Sequence, residues 1–273
     1  MKIFVLGYKG MLGRYVYDYL RDNGYEVIGL TRYDIDASIP DLPLHSIFFR
    51  LNAKEGDAII NCIGAIKPQV DKLGTFNAIK VNSIFPHVLA EFCEERGYKL
   101  IHITTDCVFS GNEGEYTEES LHDCTDVYGK TKSLGEPSNC TVVRTSIIGE
   151  EVGTSRSLIE WVKSQDGKEV NGYLNHRWNG LTCHQVAKVF MDIIENDKYW
   201  KGVRHIHSPN TLDKAELLRA IIKAHELNIH VNPINAPIPV DRSMATIYDD
   251  ITFDIPDIQT QLIEQYHSRP NKE

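Results

Sequence analysis

The opening of the chain constrains its fold more than any other segment. Lys2–Leu6 is a short apolar run that stops at Gly7, and Gly7, Gly10 and Gly13 then lead into an amphipathic stretch from Met11 to about Asn23. A strand that turns through glycines directly into a helix is the first half of a βαβ unit. The pattern repeats. Residues 25–30, 58–63, 99–104 and 141–148 are strand-like, and residues 75–96 carry Phe76, Ile79, Val81, Ile84, Val88, Leu89 and Phe92 at helical spacing. Strands alternating with helices predict a parallel sheet covered on both faces, an α/β Rossmann-type doubly wound fold over residues 1–150. Beyond 150 the alternation loosens. Residues 158–164, 186–194 and 214–225 read as helices, and 229–240 as a short strand with loops. This places a smaller C-terminal α/β portion at 151–180 and 208–273, with about 181–207 returning a helix and a strand to the first domain. Residues 269–273 read as a frayed end.

The glycines are spaced GxxGxxG. A dinucleotide pyrophosphate needs a tight turn, an approach free of side chains and unpaired helix N–H donors, and glycines at these places supply all three. Glycines also mark ordinary strand–helix turns, so their position after an N-terminal strand carries the weight. An acid that binds the ribose of NAD is expected about 20 residues further on. The corresponding place holds Thr31 and Arg32, which suit a 2′-phosphate, although Arg32 also reads as a solvated surface side chain. NADPH is the expected cofactor, with NADH left open.

Tyr128 and Lys132 stand four residues apart and share a face if the segment is helical. A lysine ammonium beside a phenol lowers its pKa from a reference of about 10 and makes it an acid/base near neutrality. The same spacing is common on solvated helices. Upstream, Thr104-Thr105-Asp106-Cys107-Val108 closes a strand, where ligand groups gather in a doubly wound sheet. A threonine hydroxyl there could bond a substrate carbonyl beside the tyrosine, or only cap a turn.

GYKGMLG, NCIGA, ITTDCVFSG, GEYTEES, YGKTKSLGE and VVRTSIIG, in that order, resemble the extended short-chain dehydrogenase/reductase family, and more narrowly its dTDP-4-dehydrorhamnose reductase branch. The likeness is strong over the first 150 residues and continues more weakly through GYLNHRWNGLT and Asp241-Arg242-Ser243. It implies that Thr105 binds the substrate carbonyl, Tyr128 donates the proton, and Lys132 holds the nicotinamide ribose and tunes the tyrosine. It assigns Gly7, Gly10, Met11, Leu12 and Gly13 to the pyrophosphate loop, and Asp34 and Ile35 to the adenine. Cys62, Gly64 and Ala65 would line the cofactor after a sheet strand, with Asn82 and Thr104 near the active centre. Thr145 and Ser146 would meet the carboxamide. The chain departs from the branch at two places: Ile147 stands where a tryptophan follows Arg-Thr-Ser, and the late Arg-Pro motif is Asp241-Arg242. Both fall near the expected sugar pocket and leave the sugar open.

A nucleotide-sugar needs a stacking surface for its base and cations for its diphosphate. Asn175, Arg177, Trp178 and Arg242 are the candidates, joined by Asp106, Cys107 and Val108; a loop with a half-buried tryptophan is the plainer reading of the first three. His205 and His207 read as sheet residues, and the acidic pairs as solvated surface, so no metal is expected. The net charge of −9 argues against nucleic acid as a partner. No apolar run reaches the length of a membrane span, and the sequence begins on a strand rather than a leader. A cytoplasmic location, a small-molecule nucleotide-sugar substrate and no membrane partner are therefore expected, with a homodimer left open. The activity expected is reduction of a nucleotide-activated 4-keto-6-deoxy-sugar. The rivals are an NAD-dependent epimerase or dehydratase and a non-catalytic NADP-binding regulatory subunit.

Overall fold

The structure is a computed structural model that describes residues 1–39, 41–151 and 157–268; the expected frayed end at 269–273 lies outside them. The first part runs β1 (Lys2–Leu6), α1 (Met11–Asp22), β2 (Glu26–Leu30), α2 (Leu44–Arg50), β3 (Ala58–Asn61), α3 (Lys67–Leu73) and α4 (Thr75–Ile79). After a π-helical turn at Lys80–Ile84 come α5 (Phe85–Arg96), β4 (Lys99–Thr105), a 3₁₀ turn at Asp106–Val108, α6 (Val127–Ser133) and β5 (Thr141–Thr145). The rest runs β6 (Ile147–Ile148), α7 (Leu158–Lys163), β7 (Glu169–Tyr173), β8 (His176–Trp178), β9 (Leu181–Thr182), α8 (Cys183–Glu195) and β10 (Gly202–His205). It closes with β11 (Leu212–Asp213), α9 (Lys214–Ala224), β12 (His230–Ile234), β13 (Val240–Asp241) and α10 (Ile258–His267).

The main sheet has the order β10-β5-β4-β3-β1-β2, every pair parallel. Winding reverses between β1 and β3, and at such a switch point the loops leave the carboxyl ends of the strands in opposite directions and open a crevice. Alternation along β1 splits the core. Ile3 and Val5 face α1 and α8, packing with Val16, Val186 and Phe190; Phe4 and Leu6 face the other layer, with Phe48, Leu89 and Phe92. Each of these fully buried side chains contributes about 1.5–3 kcal/mol of apolar transfer. A third cluster, built from Ile159, Val162, Leu217, Leu218, Ile221 and Leu262, lies in the C-terminal portion.

Two elements differ from the sequence expectation for physical reasons. The run 141–148 is two strands rather than one. Its chain leaves the main sheet at Ser146, whose carbonyl accepts from Leu181 N at 2.8 Å, and β6 then pairs with β9. The expected helix 75–96 contains the π-helical turn, which carries Asn82 inward. A single turn of this kind redirects side chains and often marks a functional position. The carboxyl end of the chain is tied back to the first part. Gln261 and Gln265 of α10 accept the backbone N–H groups of Thr182 and His184 at 3.1 and 3.2 Å, satisfying donors at the start of α8. No helix among the described residues is long and apolar enough to cross a membrane.

Candidate active site

Gly7 leaves β1 with φ +75°, a conformation that favours glycine. A Cβ on Gly13 would stand 2.3 Å from Gly7 O and 2.7 Å from Tyr8 Cα, so helix and loop meet backbone to backbone. Helix α1 starts on Gly10 with no side-chain cap and no acid in its first turn, whereas α7, α8, α9 and α10 are each capped by a side-chain oxygen. Uncapped N–H groups behind a glycine turn suit a pyrophosphate. A second feature fits a bound dinucleotide elsewhere along the strand ends: Thr104 Oγ1 is buried at the end of β4 without a hydrogen-bond partner among the described residues. These residues fit a dinucleotide. Met11 opens α1, while Leu12 and Ile35 are buried in the two core layers.

Past β2 the Asp34 carboxylate accepts from Thr31 N and Thr31 Oγ1, both at 2.8 Å, and those bonds hold it below the usual carboxylate range. Arg32 pairs with Asp36 at 3.1 Å yet keeps 69% of its side chain exposed. At the end of β3, Cys62 is pushed up to about 12 by burial, so it is a neutral thiol. Asn82 fixes the following loop: Ala65 N donates to its Oδ1 at 2.8 Å, and its Nδ2 donates to Ala65 O at 3.0 Å and Thr131 Oγ1 at 3.1 Å. One buried amide thus ties the β3 loop to α6. Gly64 lies in that loop, where an added Cβ would be 3.8 Å from Lys132 Nζ.

Helix α6 is capped by Asp126, whose side chain accepts from Gly129 N at 3.0 Å, and it carries both Tyr128 and Lys132. Thr105 ends β4, where its Oγ1 accepts from Cys107 N at 3.2 Å and donates to Asp106 Oδ1 at 3.1 Å, and it lies near enough to the Tyr128 phenol to favour the phenolate. Lys132 Nζ donates instead to Ile103 O at 3.1 Å, and burial pushes it down to about 8, with Glu136 pulling the other way. The expectation that Lys132 lowers the Tyr128 pKa is therefore corrected. Burial dominates and moves the phenol up, Cys107 adds to that, and Thr105 only partly opposes it. At neutral pH the phenol holds its proton, the state required of a proton donor.

A cavity of about 280 Å³ opens beside these groups, lined by Asp106, Cys107, Ser146, Ile147, Arg177, Trp178, Lys214 and Arg242 among others. Five of the expected substrate residues meet there, together with Ser146. Burial raises Asp106 above its ordinary value, opposed by Arg242. Thr145 is buried at the end of β5, opposite Thr105. The other four, Thr105, Tyr128, Val108 and Asn175, do not line it. Val108 is fully buried with Phe109 and Tyr116. Asn175 bonds both N and O of Ala236 at 2.8 Å, so it latches a loop. Lys214 was not among the expected residues. Its sequence clue is the Asp213–Glu216 capping box, which places it at the first helical position directly after a strand.

Behind the site, Arg144 of β5 binds Glu136 through both oxygens, at 3.1 and 2.5 Å, and donates to His205 Nε2 at 2.7 Å and His122 Nε2 at 2.8 Å. Its guanidinium also lies 5.3 Å from the Phe109 ring centroid. Burial and Arg144 hold His205 below its ordinary pKa, in the neutral form that accepts from the arginine.

The chain is similar to known proteins. Over 186 residues the chain is 31% identical to the dTDP-4-keto-6-deoxy-D-glucose reductase of Streptomyces niveus, covering 65% of this chain and 63% of that one. It is 26% identical over 261 residues to methionine adenosyltransferase 2 subunit beta of Danio rerio, covering 85% and 77%. The fold matches a dTDP-4-dehydrorhamnose reductase from Bacillus anthracis solved in complex with NADP, with TM-score 0.80, 17% identity and coverage of 98% and 99%. Residues 1–249 match the RmlD substrate binding domain, glycine loop, Tyr128 helix and cavity wall included. On that match the chain belongs to the RmlD substrate binding domain family, within the extended short-chain dehydrogenase/reductases.

Proposed function

We propose that the protein is an NAD(P)H-dependent reductase of a nucleotide-activated 4-keto-6-deoxy-sugar, with NADPH as cofactor and NADH as an acceptable substitute. The observation that carries this reading is the neutral Tyr128 phenol beside Thr105 at the end of β4, with the cavity wall beginning at the very next residues, Asp106 and Cys107. A dinucleotide whose pyrophosphate is held by the glycine loop would supply the hydride from its nicotinamide. Thr105 Oγ1 and Tyr128 Oη hold the substrate carbonyl oxygen, and Tyr128 passes its proton to that oxygen as charge develops on it. Lys132 holds the ribose hydroxyls from the floor of the site, and Asn82 keeps α6 and the β3 loop in register. The reductases of Streptomyces niveus and Bacillus anthracis support the substrate class by their names.

The test is consumption of NADPH with a panel of dTDP- and UDP-4-keto-6-deoxy-sugars. Stoichiometric oxidation of NADPH with loss of the ketone is expected; interconversion of sugars with no net oxidation would mean an epimerase or dehydratase. The match to an adenosyltransferase subunit favours a third reading, a cofactor-binding regulatory subunit. That reading gains if the protein binds NADPH tightly but oxidises it with no member of the panel.

Lys132 also sets a pH dependence. A lysine with a pKa of about 8 is charged below that pH and neutral above it. Activity that needs the cation is present on the acid side and lost as pH rises. Expected is an alkaline limb in kcat/KM near pH 8, moved to higher pH by Lys132→Arg. A flat profile to pH 10 in the parent protein would exclude the ammonium from the reaction.

A further inference from the structure

Three cations reach the cavity, and their partners separate them. Strand β8 lies between β11 and β13, and the register sets Arg177 beside Asp213 on one side and Asp241 on the other. Arg177 Nε is 3.5 Å from Asp241 Oδ2, and 56% of its side chain is exposed. Arg242 donates from Nε to Phe109 O at 2.9 Å and from Nη2 to Ser110 O at 3.0 Å, so it straps the turn after β4 to β13. Lys214 is different. It has neither an acid nor a carbonyl partner among the described residues. The nearest acids in sequence are spent on the helix cap, Asp213 accepting from Glu216 N at 2.8 Å and Glu216 from Asp213 N at 2.9 Å. Burial alone shifts its pKa, downwards, with no charged neighbour acting on it.

A half-buried ammonium without a counter-charge is costly to the fold. It is retained in a wall that also presents the Trp178 ring. We propose that Lys214, rather than either arginine, is the cation that grips the diphosphate of the ligand, and that it makes the pocket selective for nucleoside-diphosphate esters over free keto-sugars. This rests on the nucleotide-sugar reading above and names the group that enforces it. A phosphate oxygen brought to Nζ supplies the missing counter-charge, and the low polarity around the lysine strengthens the contact. Arg177 and Arg242 then act on the ligand only indirectly, by shaping β8 and the β4 turn.

The experiment uses the full chain and two probes, dTDP and inorganic pyrophosphate, in calorimetry. Lys214→Ala is expected to weaken dTDP about 10- to 100-fold, the loss of one charge-assisted contact, with the Kd for NADPH unchanged. Lys214→Arg should recover most of the loss, and Arg177→Ala should change dTDP less than threefold. Thermal melting separates this from a structural role: Lys214→Met should hold or raise Tm, because it removes an uncompensated cation, whereas a lysine that braces the fold would lower it. Equal dTDP affinity in parent and Lys214→Ala overturns the proposal, as does absence of dTDP and pyrophosphate binding to the parent at millimolar concentration. Lys214-dependent dTDP binding in a protein that reduces none of the keto-sugars would keep this inference and remove the reductase reading.

Discussion

Tyr128→Phe is expected to lower turnover by about 10²–10⁴-fold, the contribution typical of a positioned proton donor, while the Kd for NADPH stays within twofold. The phenylalanine keeps the ring that packs against the cluster of Ala65, Val70 and Ala78, so the fold is preserved and only the hydroxyl is lost. Thr105 keeps its bond to Cys107 N and remains as the single hydroxyl on the carbonyl. The measurement is single-turnover oxidation of NADPH with the accepted keto-sugar. Turnover within fivefold of the parent would place the proton elsewhere, and the buried, neutral phenol would then be only a packing element.

The second large effect is on stability. Arg144 and Glu136 have side chains only 3% and 6% exposed, and the arginine meets both carboxylate oxygens. Arg144→Met leaves a carboxylate buried without its partner and costs about 3–5 kcal/mol. The double variant Arg144→Met, Glu136→Gln should recover a large part of that, because it removes the stranded charge along with the pair. Urea unfolding at pH 7 reads both. A single-variant loss below 1 kcal/mol would show that water reaches Glu136 and that the bidentate contact does not hold β5 to the loop after α6.

Much of the site could be read from the chain because local geometry dictates it. Gly7, Gly10 and Gly13 must follow a strand and precede a helix, and two side chains four residues apart on a helix share a face. Those relations need no knowledge of distant residues. The Tyr128 pKa shows where such reading stops. The lysine four positions away is visible in sequence, but the burial that moves the phenol the other way depends on what covers α6. The cavity wall was opaque for a related reason. Strands β8, β11 and β13 are two or three residues each, too short to show a period, and they come together from separate segments. Arginine is the expected diphosphate ligand by chemistry. Only the register that sets Arg177 beside Asp241, and the strap from Arg242 to Phe109 and Ser110, reveal that both are engaged. Lys214 sits in an ordinary amphipathic helix, and its missing counter-charge is a property of the assembled wall.

The hold of α10 on α8 has a consequence for how the molecule comes into being. The cofactor-binding sheet takes its sixth strand from residues 202–205, and the helix that packs on α1 has backbone donors closed by Gln261 and Gln265. On a ribosome, the first 150 residues emerge with one sheet edge unpaired and with apolar side chains of α1 uncovered. The nucleotide-binding half is not a finished object at that stage. That layer is closed only when α8 packs on α1 and residues 202–205 pair with β5, and α10 then satisfies the first donors of α8. The glycine loop is thus carried by a layer whose cover and last strand come from much later segments of the chain.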